Sequence, residues 1–595
     1  MRPEFLRAPK TAKGMSLQPN YTVADEMAAA FKRHGITSVF GQSIPSAFIL
    51  ALADLGIRQI VYRTENAGAA MADGFARISN TIGVVTAQNG PAATLLVPGL
   101  AEALKSSIPI LAIVQDVSRP TVDRNAFQEL DHLSLFTGSA KWIRRVERRD
   151  RVSDILDQAV VAATTGRPGP VVLVVPMDLL VEETQPNSSR RMALATFPLD
   201  RLLPPAELVN EAAKLILEAE NPVVISGGGI HISGAHDELS ALQDLASLPL
   251  GTTLMGKGAV DENHPLSIGV TGNSTGKRGR ARYCRDLIKT ADLVVLAATR
   301  TAQNGTDSWS MYAPGTKFIH IDIDGNEIGR NYEALRLVGD AKLTLAALNA
   351  AITAMDLTKR SQKRPGLEQE IAQARKRHLQ EASDVTGSDQ SPIRPERIMS
   401  DVQKLLTPET IVTADASYSS IWVTNYLVTQ KPGTRFLTPR GLAGLGWGLP
   451  LAMGAKVARP DAPVLAYAGD GGFGHVWSEL ETAVREKINV VLTVFNNQIL
   501  GFQKDAEDER HGRHTDACYF SSVDHAKVAE AAGCKGVRVE RAGDYGDAVA
   551  EALRRDGPTL IDVVTDPDAY PPLGVFDDRV DAVRARRAEL QKNEV

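Results

Sequence analysis

The sequence predicts an α/β protein of three doubly wound domains, each a parallel sheet covered by helices. Three observations carry the prediction. Short apolar runs that read as strands alternate with segments whose apolar residues recur at helical spacing, the pattern of βαβ units. At 595 residues the chain exceeds one ordinary core, and about 150 residues per domain gives three or four. Two polar stretches, residues 186–191 and the charged 357–390 with Pro365 and Gly366, interrupt the alternation. The resulting divisions are a disordered extension at 1–20, domains at 21–185, 190–355 and 391–575, a linker at 356–390 that becomes a surface helix, and a C-terminal tail at 576–595.

Composition narrows the function. Sixty-six basic residues against 71 acidic ones, with no long basic tract, argue against nucleic acid or a membrane surface as partner. No apolar run reaches the roughly 18 residues of a spanning helix. Cys284, Cys518 and Cys534 are few, odd in number and unspaced for metal, which speaks against a disulfide framework or a zinc site and for a reducing cytoplasm. Residues 1–20 have basic residues but no apolar core, with Met15 a second candidate start.

In the first domain, Thr22 and Asp25 mark a helix start, and Val23, Met27, Ala30 and Phe31 form its apolar face before Gly35. Strands at 37–40, 59–62, 83–87 and 110–115 then alternate with helices at 48–55, 67–77 and 92–104. Glu65 stands at a strand-to-helix junction, where a carboxylate is favoured by the helix dipole alone. In the middle domain, strands at 222–226, 293–297 and 317–323 imply another such layer, and Gly227-Gly228-Gly229 after the first is a weak sign of nucleotide binding. Lys277, Arg278, Arg280 and Arg282 concentrate positive charge, either as a solvated face or as a clamp for phosphates.

The third domain begins with a strand at 411–414 that runs into the hydroxyl-rich Asp415-Ala416-Ser417-Tyr418-Ser419-Ser420. A β-prone run at 464–468 ends in Gly469-Asp470-Gly471-Gly472. Val476, Leu480, Ala483, Val484 and Ile488 follow at helical spacing, and a second apolar run, 490–495, stops at Asn496-Asn497. A right-handed crossover makes these strands parallel, so Asp470 and Asn497 emerge on one edge and can share a ligand. A carboxylate beside an amide oxygen suits Mg²⁺, and the glycines let phosphate oxygens approach backbone N–H groups. The expected ligand is a metal-diphosphate. Residues 504–516 are densely charged and read as a mobile loop, and the tail is expected to end in an Arg- and Glu-rich helix that closes over the substrate.

Gly-Asp-Gly followed after 24 residues by Asn-Asn resembles the signature of enzymes that use thiamine diphosphate. The resemblance implies that Asp470 and Asn497 bind Mg²⁺ with the Ile499 carbonyl; beside it, the residues themselves place Gly469, Gly471 and Gly472 to cradle the diphosphate and Ser417 and Ser419, in the hydroxyl-rich run, to donate to it. Other segments resemble acetolactate synthase and its relatives. Glu65-Asn66-Ala67-Gly68 with Met71 to Arg77 is similar to the pyrimidine-binding segment, which makes Glu65 the residue that shares a proton with the ring nitrogen and so activates the cofactor. Asn89-Gly90-Pro91-Ala92-Ala93-Thr94 resembles the family's Gly-Pro-Gly-Ala-Thr turn, with Ala92 for the second glycine and Asn89 at the cofactor. Ala126-Phe127-Gln128-Glu129 resembles a loop whose glutamine, here Gln128, orients intermediates. Gly441 to Pro450 resembles the glycine-rich turn, with Leu445 wedged between the cofactor's rings and the Ala443 carbonyl accepting from its exocyclic amine.

The resemblance covers about residues 21–570 and implies a homodimer or homotetramer with active sites at the subunit interface. For the middle domain it leaves FAD, ADP or nothing open, with Gly227, Gly228, Arg300, Asp322 and Asp340 as candidate nucleotide contacts. Thr301-Ala302-Gln303-Asn304 replaces the segment usual in FAD-binding members, and Met177 replaces a lysine usual in the synthases. The expected activity is decarboxylation of a 2-oxo acid of the pyruvate type with carboligation. The alternatives are a lyase or decarboxylase acting on an acyl-CoA such as a 2-hydroxyacyl-CoA or oxalyl-CoA, and acyl transfer like that of sulfoacetaldehyde acetyltransferase. A non-catalytic subunit would be expected to lose Glu65, Asp470 or Asn497, and all three are present.

Overall fold

The computed structural model describes residues 21–574, so the expectations for residues 1–20 and for the tail lie outside the described residues. Each domain holds one six-stranded sheet whose pairings are all parallel. The first contains β1 (Ser38–Gly41), β2 (Arg58–Ile60), β3 (Gly83–Ala87), β4 (Ile110–Asp116), β5 (Trp142–Arg145) and β6 (Val171–Pro176). The second contains β7 (Pro222–Ser226), β8 (Leu250–Thr252), β9 (Ser267–Val270), β10 (Leu293–Ala297), β11 (Lys317–Asp322) and β12 (Leu335–Val338). The third contains β13 (Ile411–Ala414), β14 (Phe436–Leu437), β15 (Val464–Gly469), β16 (Val491–Asn496), β17 (Lys535–Val539) and β18 (Thr559–Val564). Every residue of β3, β4, β6, β10 and β16 is buried, which is why these strands read as nearly unbroken apolar runs.

The first and third sheets share one spatial order, β2-β1-β3-β4-β6-β5 and β14-β13-β15-β16-β18-β17. The middle sheet, β12-β11-β10-β7-β8-β9, instead has the order typical of dinucleotide-binding folds. Ligands of open α/β sheets bind outside the carboxyl ends of strands where the order reverses. Those points are β1/β3, β7/β10 and β13/β15.

The first and third domains pack directly on each other through the helices Glu65–Ser79 and Gly448–Ala458. A Cβ on Gly74 would sit 2.3 Å from the Leu451 carbonyl oxygen, and one on Gly454 would sit 1.9 Å from that of Met71. Residue 74 thus meets 451 while 71 meets 454, so the helices run antiparallel at near backbone contact. Met71, Ala72, Leu449 and Met453 belong to one apolar core that spans both domains.

Several local expectations are corrected. The segment expected to be a linker that becomes a surface helix is helical almost throughout, one 29-residue helix, Thr358–Thr386, with Pro365 inside it. Its charges are used: Arg360 is buried and donates to the Ala246 and Ser247 carbonyls, and Lys359 and Lys363 pair with Glu220. The segment read as a mobile loop begins with the helix Gly501–His511, in which Lys504, Asp505 and Asp508 are buried and the Tyr418 hydroxyl donates to Asp505 at 2.6 Å. The helix expected through 476–488 is confined to Glu479–Arg485, after a single turn at Asp470–Phe473. β5, β6 and the helix Val152–Thr164 have no counterpart among the expected elements.

Candidate active site and the middle-domain cavity

Asp470 follows β15 at the β13/β15 reversal and is 8 % exposed. Its two carboxylate oxygens accept from the backbone N–H of Gly471 at 2.9 Å and of Gln498 at 2.6 Å, which ties the end of β15 to the loop after β16. Burial, only partly offset by these bonds, pushes its carboxyl up to about 6. In that loop the Asn497 Oδ1 accepts from the Ile499 N–H at 3.2 Å, and Ile499 bridges to Tyr519. Asp470, Asn497 and the Ile499 backbone therefore share the carboxyl-end edge of adjacent strands.

The glycines here have different reasons. A Cβ on Gly472 would sit 2.2 Å from the Asp415 carboxylate, and one on Gly471 would strike Phe520 and Leu500. Gly469 faces open space, with the Ser419 hydroxyl the nearest group at 3.8 Å. A carboxylate, a glycine opening and a helix N-terminus with Ser417 at its cap (φ +67°) converge at this reversal, as a diphosphate requires. Buried Asp415 accepts from the N–H groups of Ala416, Gly446 and Trp447, so the glycine-rich turn is tied to the end of β13. Ala443 holds a positive φ of +60° in that turn, and Leu445 is half-buried.

Glu65 opens the helix Glu65–Ser79 at the other end of the first domain's contact with the third and is buried. Burial is the main reason that its carboxyl lies above the usual carboxylate range, and nearby Glu479 adds to the shift. Gln128, also at positive φ, accepts from Gln88 Nε2 at 2.6 Å, and Asn89 Nδ2 donates to the Gln128 carbonyl at 3.1 Å. His132 Nε2 accepts the Gly90 N–H at 3.0 Å while its Nδ1 faces Asp116, which in turn pairs with Arg145. Asn89 and Gln128 are thus held together at the β1/β3 end, with Gly90 Cβ space closed by Gln128. His132, Glu102 and Glu479 carried no signal in the sequence, because each accepts from a backbone N–H far away in the chain.

At the β7/β10 reversal lies a cavity of about 300 Å³ lined by Gly228, Arg300, Asp322, Asp340, Arg440 and Gly441, among others. Gly227 does not line it: its Cβ direction is filled by the Ala298 carbonyl oxygen at 2.4 Å, so this glycine serves close packing of β7 on β10. Asp340 has its carboxylate engaged by Arg201, Ser233 and the N–H of Leu343, which it caps. Burial lowers the pKa of Arg300 and pushes Asp322 up to about 6. The basic loop is not part of this lining, since Arg278 pairs with Asp384 and Arg280 donates to the Glu262 carbonyl.

Three family profiles match the chain in the order of its sheets. The thiamine pyrophosphate enzyme N-terminal TPP binding domain matches residues 21–135, the central domain 209–348 and the C-terminal TPP binding domain 415–563. Fold and site together define a thiamine diphosphate enzyme. The chain is 35 % identical over 561 residues to a probable acetolactate synthase large subunit of Methanocaldococcus jannaschii, covering 91 % of this chain and 92 % of that one. It is 33 % identical over 584 residues to a probable acetolactate synthase large subunit of Methanococcus aeolicus, covering 94 % and 95 %. It is 31 % identical over 567 residues to an acetolactate synthase of Arthrospira platensis, covering 92 % and 95 %. The chain belongs to this acetolactate synthase-like family, and its substrate is a small molecule. Among the described residues no helix is long and apolar enough to cross a membrane.

Proposed function

We propose that the protein decarboxylates a 2-oxo acid of the pyruvate type and joins the remaining two-carbon unit to a second carbonyl compound, as an acetolactate synthase does. The observation that carries this reading is the full-length likeness to acetolactate synthases in a chain that places Asp470 and Asn497 on one sheet edge and keeps Glu65 buried at a helix start. Bound thiamine diphosphate supplies a nucleophilic carbon that adds to the carbonyl and retains the electrons of the broken C–C bond. Asp470, the Asn497 side chain and the Ile499 carbonyl hold Mg²⁺, with Ser417, Ser419 and the Gly469–Gly472 backbone around the diphosphate. Glu65, whose carboxyl burial raises above the usual carboxylate range, is the group that shares a proton with the pyrimidine ring nitrogen. Ala443 and Leu445 fix the angle between the rings. Asn89 would contact the cofactor, and Gln128 would face the reacting carbon and orient intermediates.

A second subunit completes the site, in a homodimer or homotetramer. The Pro91–Ser106 helix carries the Asn89–Gly90 turn at its start, while the glycine-rich turn rests on Glu102, 11 residues further along. At 1.5 Å per residue these halves are roughly 17 Å apart within one chain. Apolar side chains stand exposed beside both: Phe127, Leu130 and Leu133 near Gln128, and Leu442, Tyr519 and Phe520 near the turn and Asp470. The middle-domain cavity takes the adenine nucleotide part of FAD or ADP. Three buried free cysteines suit a reducing cytoplasm.

The test is a mass-spectrometric product screen with thiamine diphosphate and Mg²⁺, offering pyruvate, other 2-oxo acids, sulfoacetaldehyde and 2-hydroxyacyl-CoA thioesters. Acetolactate from pyruvate is expected. Turnover of a thioester or a sulfonated aldehyde alone would overturn the reading.

A further inference from the structure

Glu102, in the Pro91–Ser106 helix of the first domain, is 1 % exposed. Its Oε1 accepts from the Gly441 N–H at 2.7 Å and the Ser106 hydroxyl at 2.7 Å, and its Oε2 accepts from the Leu442 N–H at 2.6 Å and the Ala443 N–H at 3.3 Å. Three successive backbone N–H groups of the third domain therefore converge on one carboxylate of the first, the arrangement of an anion nest filled by a side chain. The fit leaves no room for a side chain at 441, since a Cβ on Gly441 would sit 2.5 Å from the Glu102 carbonyl oxygen and 2.9 Å from Oε1.

The turn so held is a strained one. Ala443, a residue with a Cβ, sits at φ +60°, a conformation that persists only where surrounding contacts impose it. Leu442 is more than half exposed, so apolar packing does not impose it there. Arg440, just before the turn, donates to the Ser420 hydroxyl, and its enclosed guanidinium feels the nearby Glu102 and Asp415 charges. Glu102 and Arg440 thus join the glycine-rich turn to the start of the helix Tyr418–Tyr426, which Ser417 caps and which contains Ser419.

We propose that Glu102 is a positioning residue for the thiamine diphosphate site: its carboxylate fixes the Gly441–Ala443 backbone so that the Ala443 carbonyl and Leu445 are presented to the cofactor. The inference rests on the cofactor site proposed above. It makes a buried acid of the first domain, with no contact to substrate, a determinant of cofactor affinity in the third.

The test compares Glu102→Gln and Glu102→Asp with wild-type protein, measuring thiamine diphosphate affinity in the presence of Mg²⁺ by titration calorimetry and the near-ultraviolet circular dichroism of the bound aminopyrimidine. Glutamine keeps the volume but turns an N–H₂ toward backbone donors; aspartate keeps the charge but withdraws it by one methylene. Glu102→Gln is expected to bind at least about tenfold more weakly, as loss of a buried charged hydrogen-bond acceptor implies, and to change the dichroism; Glu102→Asp falls between it and wild type. Glu262→Gln, which breaks another buried pair with Lys257, serves as the control: it should lower thermal stability with cofactor affinity unchanged. Wild-type affinity and dichroism in both Glu102 variants would overturn the proposal alone. Failure of wild-type protein to bind thiamine diphosphate would overturn the underlying site and the proposal together.

Discussion

The Glu479 carboxylate accepts the backbone N–H of Thr64 at 3.0 Å, across the seam between the third and first domains and one residue before Glu65. The same carboxylate accepts from the Arg63 N–H at 3.2 Å. A residue of the third domain thereby sets both the place and the electrostatics of Glu65. Removing its charge in Glu479→Gln takes away one of the causes that raise the Glu65 pKa. The Glu65 carboxyl then ionises at lower pH, and the acidic limb of the kcat/KM profile should move to lower pH. Steady-state rates across pH check this, and an unmoved limb would detach Glu479 from the function of Glu65.

Asp470 yields a prediction about stability. Its folded-state carboxyl is raised to about 6, so folding of the apo protein favours the protonated form over the ionised one relative to the unfolded chain. That contribution is present below the unfolded carboxylate pKa and is lost as pH rises through the folded value. Relative to wild-type apo protein, Asp470→Asn should therefore become progressively more favourable by about 2–3 kcal/mol between about pH 4 and pH 7. Denaturant unfolding at the two pH values measures the difference. With Mg²⁺ and thiamine diphosphate present the comparison should reverse, because only wild-type protein gains a thermal shift from the ligand.

Gly74→Ala and Gly454→Ala test the helix seam. In an exposed helix each change would stabilise by up to about 1 kcal/mol. Here the added methyl meets a backbone carbonyl of the opposing helix, and each should destabilise by about 1–3 kcal/mol. A raised midpoint in thermal unfolding for either variant would show that the helices can separate without cost.

Arg300 lines the middle-domain cavity and is buried enough to hold its pKa down. Arg300→Ala is expected to weaken ADP binding at least about tenfold, the effect of removing a charged donor from an enclosed phosphate site. Titration calorimetry reads the loss, and a visible absorption scan of purified protein distinguishes a bound flavin.

What could be read in the sequence follows from how local each feature is. The Asp470–Asn497 pair was legible because one βαβ unit, β15 to β16, contains both residues and fixes them on one edge. β7, β10 and β13 were legible to the residue because burial on both faces makes them continuous apolar runs. β5 was not, since it forms the sheet edge and carries Arg144 exposed and Arg145 half-buried. The surface helix expected within 356–390 was legible but its extent was not, because Pro365 and charges whose partners lie more than a hundred residues upstream hid that 358–386 is one continuous helix. Gly227 looked like part of a nucleotide turn, but its missing side chain makes room for a neighbouring strand's carbonyl. Asn89 and Gln128 were named from the motif, whereas the Gln88–Gln128 bond and the His132 that accepts from Gly90 become visible only when β3, β4 and the 126–132 loop are brought together.

The antiparallel seam also bears on how the molecule is made. Gly74 and Leu451 touch, yet Leu451 is synthesised about 380 residues later, a delay of roughly 20–75 s at 5–20 residues per second. Throughout that interval the nascent first domain must wait with the apolar, glycine-notched side of its Glu65–Ser79 helix uncovered while the whole middle domain emerges. Translation speed and chaperone supply should therefore govern the yield of active protein more strongly than the stability of the finished fold does.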